Sequence, residues 1–184
     1  MAVVARDAAR TRQRILDVAQ KLFAERGYAG TSIADIAGEL GTSKAALYYY
    51  FTAKEQILGA LITEPMAGYA AIAERVAREK VSADELIEAL VDLTVDAQTV
   101  NSLLSNDPSA TSVMRRLHNV QDYTESIIRS LAGPRPSEAA LVRARAAFAV
   151  AKQGTFWVAQ ASNGTLSPAA RKELVTAALR CLDG

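Results

Sequence analysis

The chain has 184 residues, enough for one or two small domains, and half of them are hydrophobic, enough for a sizeable core. Its net charge is +1, but residues 1–54 hold 8 basic against 5 acidic side chains, or +3, and the remainder holds 13 against 15, or −2. A single cysteine, Cys181, excludes an intrachain disulfide framework, and no stretch approaches the roughly 18 uncharged apolar residues of a membrane span.

A basic first quarter on a slightly acidic remainder suits an anionic partner met at one end only. The opening Met1-Ala-Val-Val-Ala-Arg-Asp lacks the apolar centre of a signal peptide. A soluble cytoplasmic protein without membrane contact is therefore expected, and one cysteine fits a reducing compartment.

Alanine and leucine abound and β-branched alternation is scarce, so the chain reads as all α, with about nine helices. The first is expected over 8–26. Ile15, Leu16, Ala19, Leu22 and Phe23 form its apolar stripe, Arg10, Arg12 and Arg14 lie on its other side, and Gly27 stands at its C-cap. Ser32 with Asp35 is a capping box that opens a second helix, whose buried face is Ile33, Ile36, Ala37 and Leu40. Gly41 supplies a left-handed turn residue, and Thr42 or Ser43 caps a third helix ending near Tyr50. A fourth helix spans 53–79, with an interruption expected near Pro65.

Ser82 with Glu85 opens a helix through Leu86, Leu90, Leu93 and Val100 to about Leu104. Asn106-Asp-Pro-Ser is a break, followed by helices over 109–117 and 119–131. Gly133-Pro-Arg-Pro is a loop, after which Ser137 caps a long helix ending near Ser162. Ser167 with Pro168 at the first helical position starts the last helix, to Leu182.

The second and third helices form a helix-turn-helix, and the third has the composition of a groove-reading element. Such a helix needs small residues where it nears DNA, donors for phosphates and base edges, and an apolar anchor. Ala45 and Ala46 are small, Leu47 and Phe51 are the anchors, and Lys44 reaches a guanine edge or a phosphate. Tyr48 and Tyr49 present hydroxyls, while Lys54, just past the helix, is placed to pin the DNA backbone. Three consecutive tyrosines cannot share one buried face, because neighbours on a helix lie about 100° apart. At least one therefore points outward, with Tyr49 the first choice.

These residues also carry a resemblance. The run Arg14-Ile-Leu-Asp-Val-Ala-Gln-Lys-Leu-Phe-Ala-Glu-Arg-Gly-Tyr continues with Thr31-Ser-Ile-Ala-Asp-Ile-Ala, Gly41-Thr-Ser-Lys, Leu47-Tyr-Tyr-Tyr-Phe and Lys54-Glu-Gln-Ile-Leu. Residues 9–55 thus resemble the N-terminal domain of the TetR family, the tetracycline-repressor-like regulators of bacteria. The resemblance covers about a quarter of the chain and extends to the rest only in helix number and length.

It implies a homodimeric repressor with a helix-turn-helix DNA-binding domain over 1–55 and a helical effector-binding and dimerisation domain over 56–184. The implied partners are a double-stranded, pseudo-palindromic operator, a second copy joined through the last two helices, and an unidentified small-molecule effector. The expected DNA-binding set is Ser32, Thr42, Ser43, Lys44, Ala45, Tyr48, Tyr49, Tyr50 and Lys54. The small residues Ala140, Ala144, Ala147, Ala151 and Gly154 suit close helix approach at a dimer interface.

Candidate effector-lining residues are Tyr69, Gln98, Asn101, Met114, His118, Tyr123, Gln153 and Trp157, joined by Phe156 and Gln160. Trp157 fits a packing or dimer-interface position better than an effector contact. One histidine and one cysteine without ligand spacing give no metal site, and no cofactor is expected. No nucleophile–base arrangement, phosphate loop or paired acidic motif supports an enzyme. A DNA-binding regulator without an effector, controlled by protein partners or acting as an activator, is the alternative.

Overall fold

A computed structural model describes residues 2–183 and, for the first four of these, only the course of the backbone. Among the described residues it holds eleven α-helices and no strand. They are α1 (Ala2–Arg26), α2 (Ile33–Glu39), α3 (Lys44–Tyr50), α4 (Lys54–Arg78), α5 (Ala83–Asp96), α6 (Gln98–Asn106), α7 (Pro108–Leu117), α8 (Val120–Ala132), α9 (Glu138–Ala149), α10 (Thr155–Ala161) and α11 (Pro168–Arg180). A π-helical turn, Val150–Gly154, joins α9 to α10.

The chain forms two compact units. One takes residues up to Glu64 together with Ser102–His118, and the other takes Pro65–Asn101 together with the residues from Asn119 onward. In the first, the α1 stripe of Ile15, Leu16, Ala19, Leu22 and Phe23 is buried with Ile36 and Ala37 of α2, Leu47 of α3, and Ile57, Leu58 and Ile62 of α4. Each large side chain so placed contributes roughly 1.5–3 kcal/mol by leaving water. Phe23 also meets Tyr28 edge to face at 5.2 Å.

In the second unit, α5 buries Leu86, Ile87, Leu90, Val91 and Thr94, α8 buries Ile127 and Ile128, and α9 buries Ala144, Ala147 and Phe148. Small residues allow close approach here. A Cβ on Gly154 would stand 3.3 Å from Leu174 Cδ2 of α11.

Nine expected helices become eleven because two are interrupted. The helix expected over 82–104 turns at Ala97, where the Asn101 side-chain amide donates to the Thr94 carbonyl at 3.2 Å and satisfies an orphan acceptor at the end of α5. The helix expected over 137–162 is split by the π-helical turn. Conversely, α4 runs unbroken through Pro65, which lacks only its own N–H, and α1 begins earlier than its apolar stripe suggests.

Candidate DNA-contacting surface

The surface is built from the end of α1 upward. Gly27, at φ +75°, ends α1. Buried Thr31 then donates its hydroxyl to the carbonyls of Leu22 and Gly27 at 3.2 and 2.9 Å, closing the last turn of the helix. Ser32 opens α2 with a reciprocal capping box: its Oγ accepts the Asp35 amide at 3.2 Å, and Asp35 Oδ2 accepts the Ser32 amide at 2.8 Å. Hydrogen bonds from the Ser32 hydroxyl and then its amide hold the Asp35 carboxyl below its ordinary pKa.

The turn between α2 and α3 is a Schellman motif around Gly41, at φ +66°. The Gly41 amide donates to the Gly38 carbonyl at 3.0 Å, and the Thr42 amide donates to the Ala37 carbonyl at 3.0 Å. Ser43 then caps α3 by accepting the Ala46 amide at 3.1 Å.

Within α3 only Leu47 is buried, at 0% exposure. Phe51, which caps its end, is buried too, with the Arg12 guanidinium 4.8 Å over its ring. The other α3 residues up to Tyr49 are exposed. Lys44, Ala45 and Tyr48 are exposed, Tyr50 is half-buried, and Tyr49 reaches 83% exposure, with its ring edge-on to Tyr50 at 5.2 Å. Ser32, Thr42 and Ser43 are exposed as well. A cleft of about 260 Å³ beside α3 is lined by Thr11, Arg14, Thr42, Ala46 and Tyr50 among others.

Lys54 stands differently. Its ammonium donates to the carbonyls of Tyr28 and Thr31 at 2.6 and 2.7 Å and lies 4.2 Å over the Tyr28 ring. Two of its three donors are thus committed within the protein.

Sequence reasoning missed Asp107. Its Oδ2 accepts the amides of Tyr28 and Ala29 at 2.6 and 3.2 Å. Its Oδ1 accepts the amides of Ser109 and Ala110 at 2.9 and 3.2 Å, and also the Ser109 hydroxyl. Burial alone would raise its pKa. The Ser109 hydroxyl and the amides of Ala29, Ala110 and Ser109 overcome that and hold it at about 2. The signal was present as Asp107-Pro108, an N-cap followed by proline at the first helical position, but it reads equally as a break.

The candidate effector residues fall into both units. Met114 and His118 belong to the first; Tyr69, Gln98, Asn101, Tyr123, Gln153 and Trp157 belong to the second. Within the second unit, Gln98 Nε2 donates to the Phe156 carbonyl at 3.3 Å, and Gln98 Oε1 has no partner. Tyr69 is 4% exposed and its hydroxyl has no partner, although Thr94 stands beside it. The Lys152 ammonium lies 4.9 Å over the Tyr69 ring, and burial lowers its pKa. Gln153, Gln160 and Trp157 are exposed. Among the described residues no group of His, Cys, Asp and Glu side chains is placed to hold a metal ion, and no helix is long and apolar enough to cross a membrane.

Residues 15–61 match the family model described as bacterial regulatory proteins, tetR family. The chain is 29% identical over 164 residues to the probable HTH-type transcriptional regulator ArpR of Pseudomonas putida, an alignment covering 77% of this chain and 76% of that protein. It is 46% identical over 46 residues to IcaR, the negative transcriptional regulator of the icaADBC biofilm operon in Staphylococcus aureus strain Newman, across 25% of each chain. The crystal structure of PfmR, a TetR family transcriptional regulator from Thermus thermophilus, superposes with a TM-score of 0.63 at 25% identity, covering 93% of this chain and 98% of that one. Residues 15–61 thus carry an N-terminal domain similar to that of the bacterial regulatory proteins of the tetR family, and over three quarters of its length the chain is similar to a transcriptional regulator.

Proposed function

We propose that the protein is a homodimeric repressor that reads a pseudo-palindromic operator with α3 and leaves it when a small molecule binds the second unit. One observation carries the reading: α3 spends only Leu47 on the core and leaves Lys44, Ala45, Tyr48 and Tyr49 to solvent. A helix held by one residue and otherwise exposed has a face free for the major groove. Thr42, Ser43 and Tyr50 supply hydroxyls to phosphates around it, while Ser32 gives its hydroxyl proton to Asp35 and sets the start of α2. Action on chromosomal DNA sets the protein in the cytoplasm. Repression accords with the negative regulation that IcaR's name records.

Dimerisation through the last two helices gives paired heads for half-sites about 34–36 Å apart. The effector acts by favouring a dimer whose heads no longer match that spacing. Tyr69, Gln98 and Asn101 carry its polar recognition, because unpaired buried atoms at Tyr69 and Gln98 offer hydrogen bonds that a ligand can complete.

Selection of bound sequences from random DNA, followed by footprinting, tests the reading. A paired site of one helical repeat is the expected result. Recovery of no enriched sequence would overturn it. A small molecule that binds the second unit yet leaves operator affinity unchanged would refute the release step.

A further inference from the structure

We propose that Asp107 and Lys54 are positioning residues of the reading head: they clamp the Gly27–Thr31 turn from opposite sides, so operator affinity depends on the α6–α7 junction. The proposal rests on the reading of α3 as the DNA-contacting helix and adds the device that sets its angle.

The turn is held by complementary charges on its two kinds of backbone group. Its N–H groups at Tyr28 and Ala29 point to the Asp107 carboxylate, and its carbonyls at Tyr28 and Thr31 point to the Lys54 ammonium. Tyr28 is gripped at both ends of one residue. Charge-assisted bonds of this kind are roughly twice as strong as neutral ones. Ser32, the N-cap of α2, follows Thr31 directly, so the clamp fixes where the helix-turn-helix begins relative to α1.

Three further observations agree. Capping α7 needs only Asp107 Oδ1, yet Oδ2 is committed to the turn at 2.6 Å. Gly27 is required for its φ of +75° and also because a Cβ there would meet Asp107 Oδ2 at 3.2 Å. Lys54, at a position where the family resemblance implies a DNA contact, has two of its three donors turned inward.

Asp107→Asn and Lys54→Met separate this role from a phosphate contact. An asparagine that keeps its oxygen on the α7 cap turns an amide N–H₂ toward the N–H groups of Tyr28 and Ala29, donor against donor. In the full-length protein both variants should melt cooperatively, and amide exchange at Tyr28 and Ala29 should quicken at least about tenfold. Affinity for the selected operator should fall about tenfold. The slope of log affinity against log salt should stay as in the wild type. Lys44→Ala serves as the contrast and should reduce that slope by about 0.9.

A Lys54→Met slope reduced by the same amount would make Lys54 a phosphate contact and overturn the clamp. Wild-type operator affinity in Asp107→Asn, or unchanged exchange at Tyr28 and Ala29, would overturn it too. If the wild-type protein itself bound no selected DNA, the reading head would fall and this proposal with it. That case is visible in the wild-type control, before any variant is compared.

Discussion

Asp107 Oδ2 accepts the backbone N–H of Tyr28 at 2.6 Å, although 79 residues separate the two. The bond belongs to a carboxylate 9% exposed and surrounded by donors, which is why its pKa falls from 3.8 to about 2. A depressed carboxyl pKa stabilises the fold above the unfolded value and loses that stabilisation as pH falls through the folded one. The loss should therefore run from about pH 4 down to about pH 2 and amount to about 2 kcal/mol. Urea unfolding at a series of pH values checks this. Asp107→Asn should be less stable at neutral pH and should show a flatter acid limb over that window. An acid limb parallel to the wild type would mean that other carboxylates carry the transition.

In α3, neighbouring residues have opposite duties. Leu47 is fully buried and Tyr49 is 83% exposed, so the same truncation should have opposite effects at the two positions. Leu47→Ala should cost about 2–5 kcal/mol of stability. Tyr49→Ala should leave stability within about 0.5 kcal/mol of wild type and weaken specific DNA binding. Thermal melts and footprints on the selected operator read the two effects apart. A wild-type footprint from Tyr49→Ala would remove that residue from the reading surface.

The head was legible in the sequence because its signals are local. Ser32 with Asp35, Gly41 and Ser43 each act within a few residues, and each performs the capping or turn role its spacing announces. The inward turn of Lys54 was not legible, because its acceptors at Tyr28 and Thr31 are backbone carbonyls, which leave no trace in composition. Asp107 was missed for a related reason: its partners at Tyr28 and Ala29 are amides that any residue but proline provides. The π-helical turn at Val150–Gly154 lies inside an alanine-rich run whose pattern suits an unbroken helix. Beside it Gly154 lies close to Leu174 of α11, a relation between segments rather than within one.

Trp157 is 63% exposed, and Val142 and Val158 are also open to solvent, on the two helices that flank the π-helical turn. Large apolar groups left in water there fit an interface between two copies. Trp157→Glu and Val142→Glu should each shift the protein toward monomer, read by sedimentation, with the secondary structure retained in circular dichroism. On the proposed reading of the operator by two copies, operator affinity should fall as well. Variants that sediment as the wild type does would place the interface elsewhere.

Tyr69 is 4% exposed, and its hydroxyl has no hydrogen-bond partner. The nearby Thr94 hydroxyl gives its proton to the Leu90 carbonyl at 2.7 Å. Burial pushes the Tyr69 pKa up, with the Thr94 hydroxyl beside it acting against that rise, and a buried hydroxyl outside hydrogen-bond geometry costs folding free energy as well. Removing the hydroxyl should therefore help the fold, since the ring and its contact with Lys152 are kept. Tyr69→Phe is expected to stabilise the protein by about 1 kcal/mol, read as a higher urea midpoint at unchanged slope. If Tyr69 serves effector recognition, the same variant should also need more of an effector to release the operator, about tenfold for one lost hydrogen bond to a buried group. A lower urea midpoint would show that the hydroxyl is satisfied in solution, and the argument for Tyr69 as a waiting ligand contact would then fail.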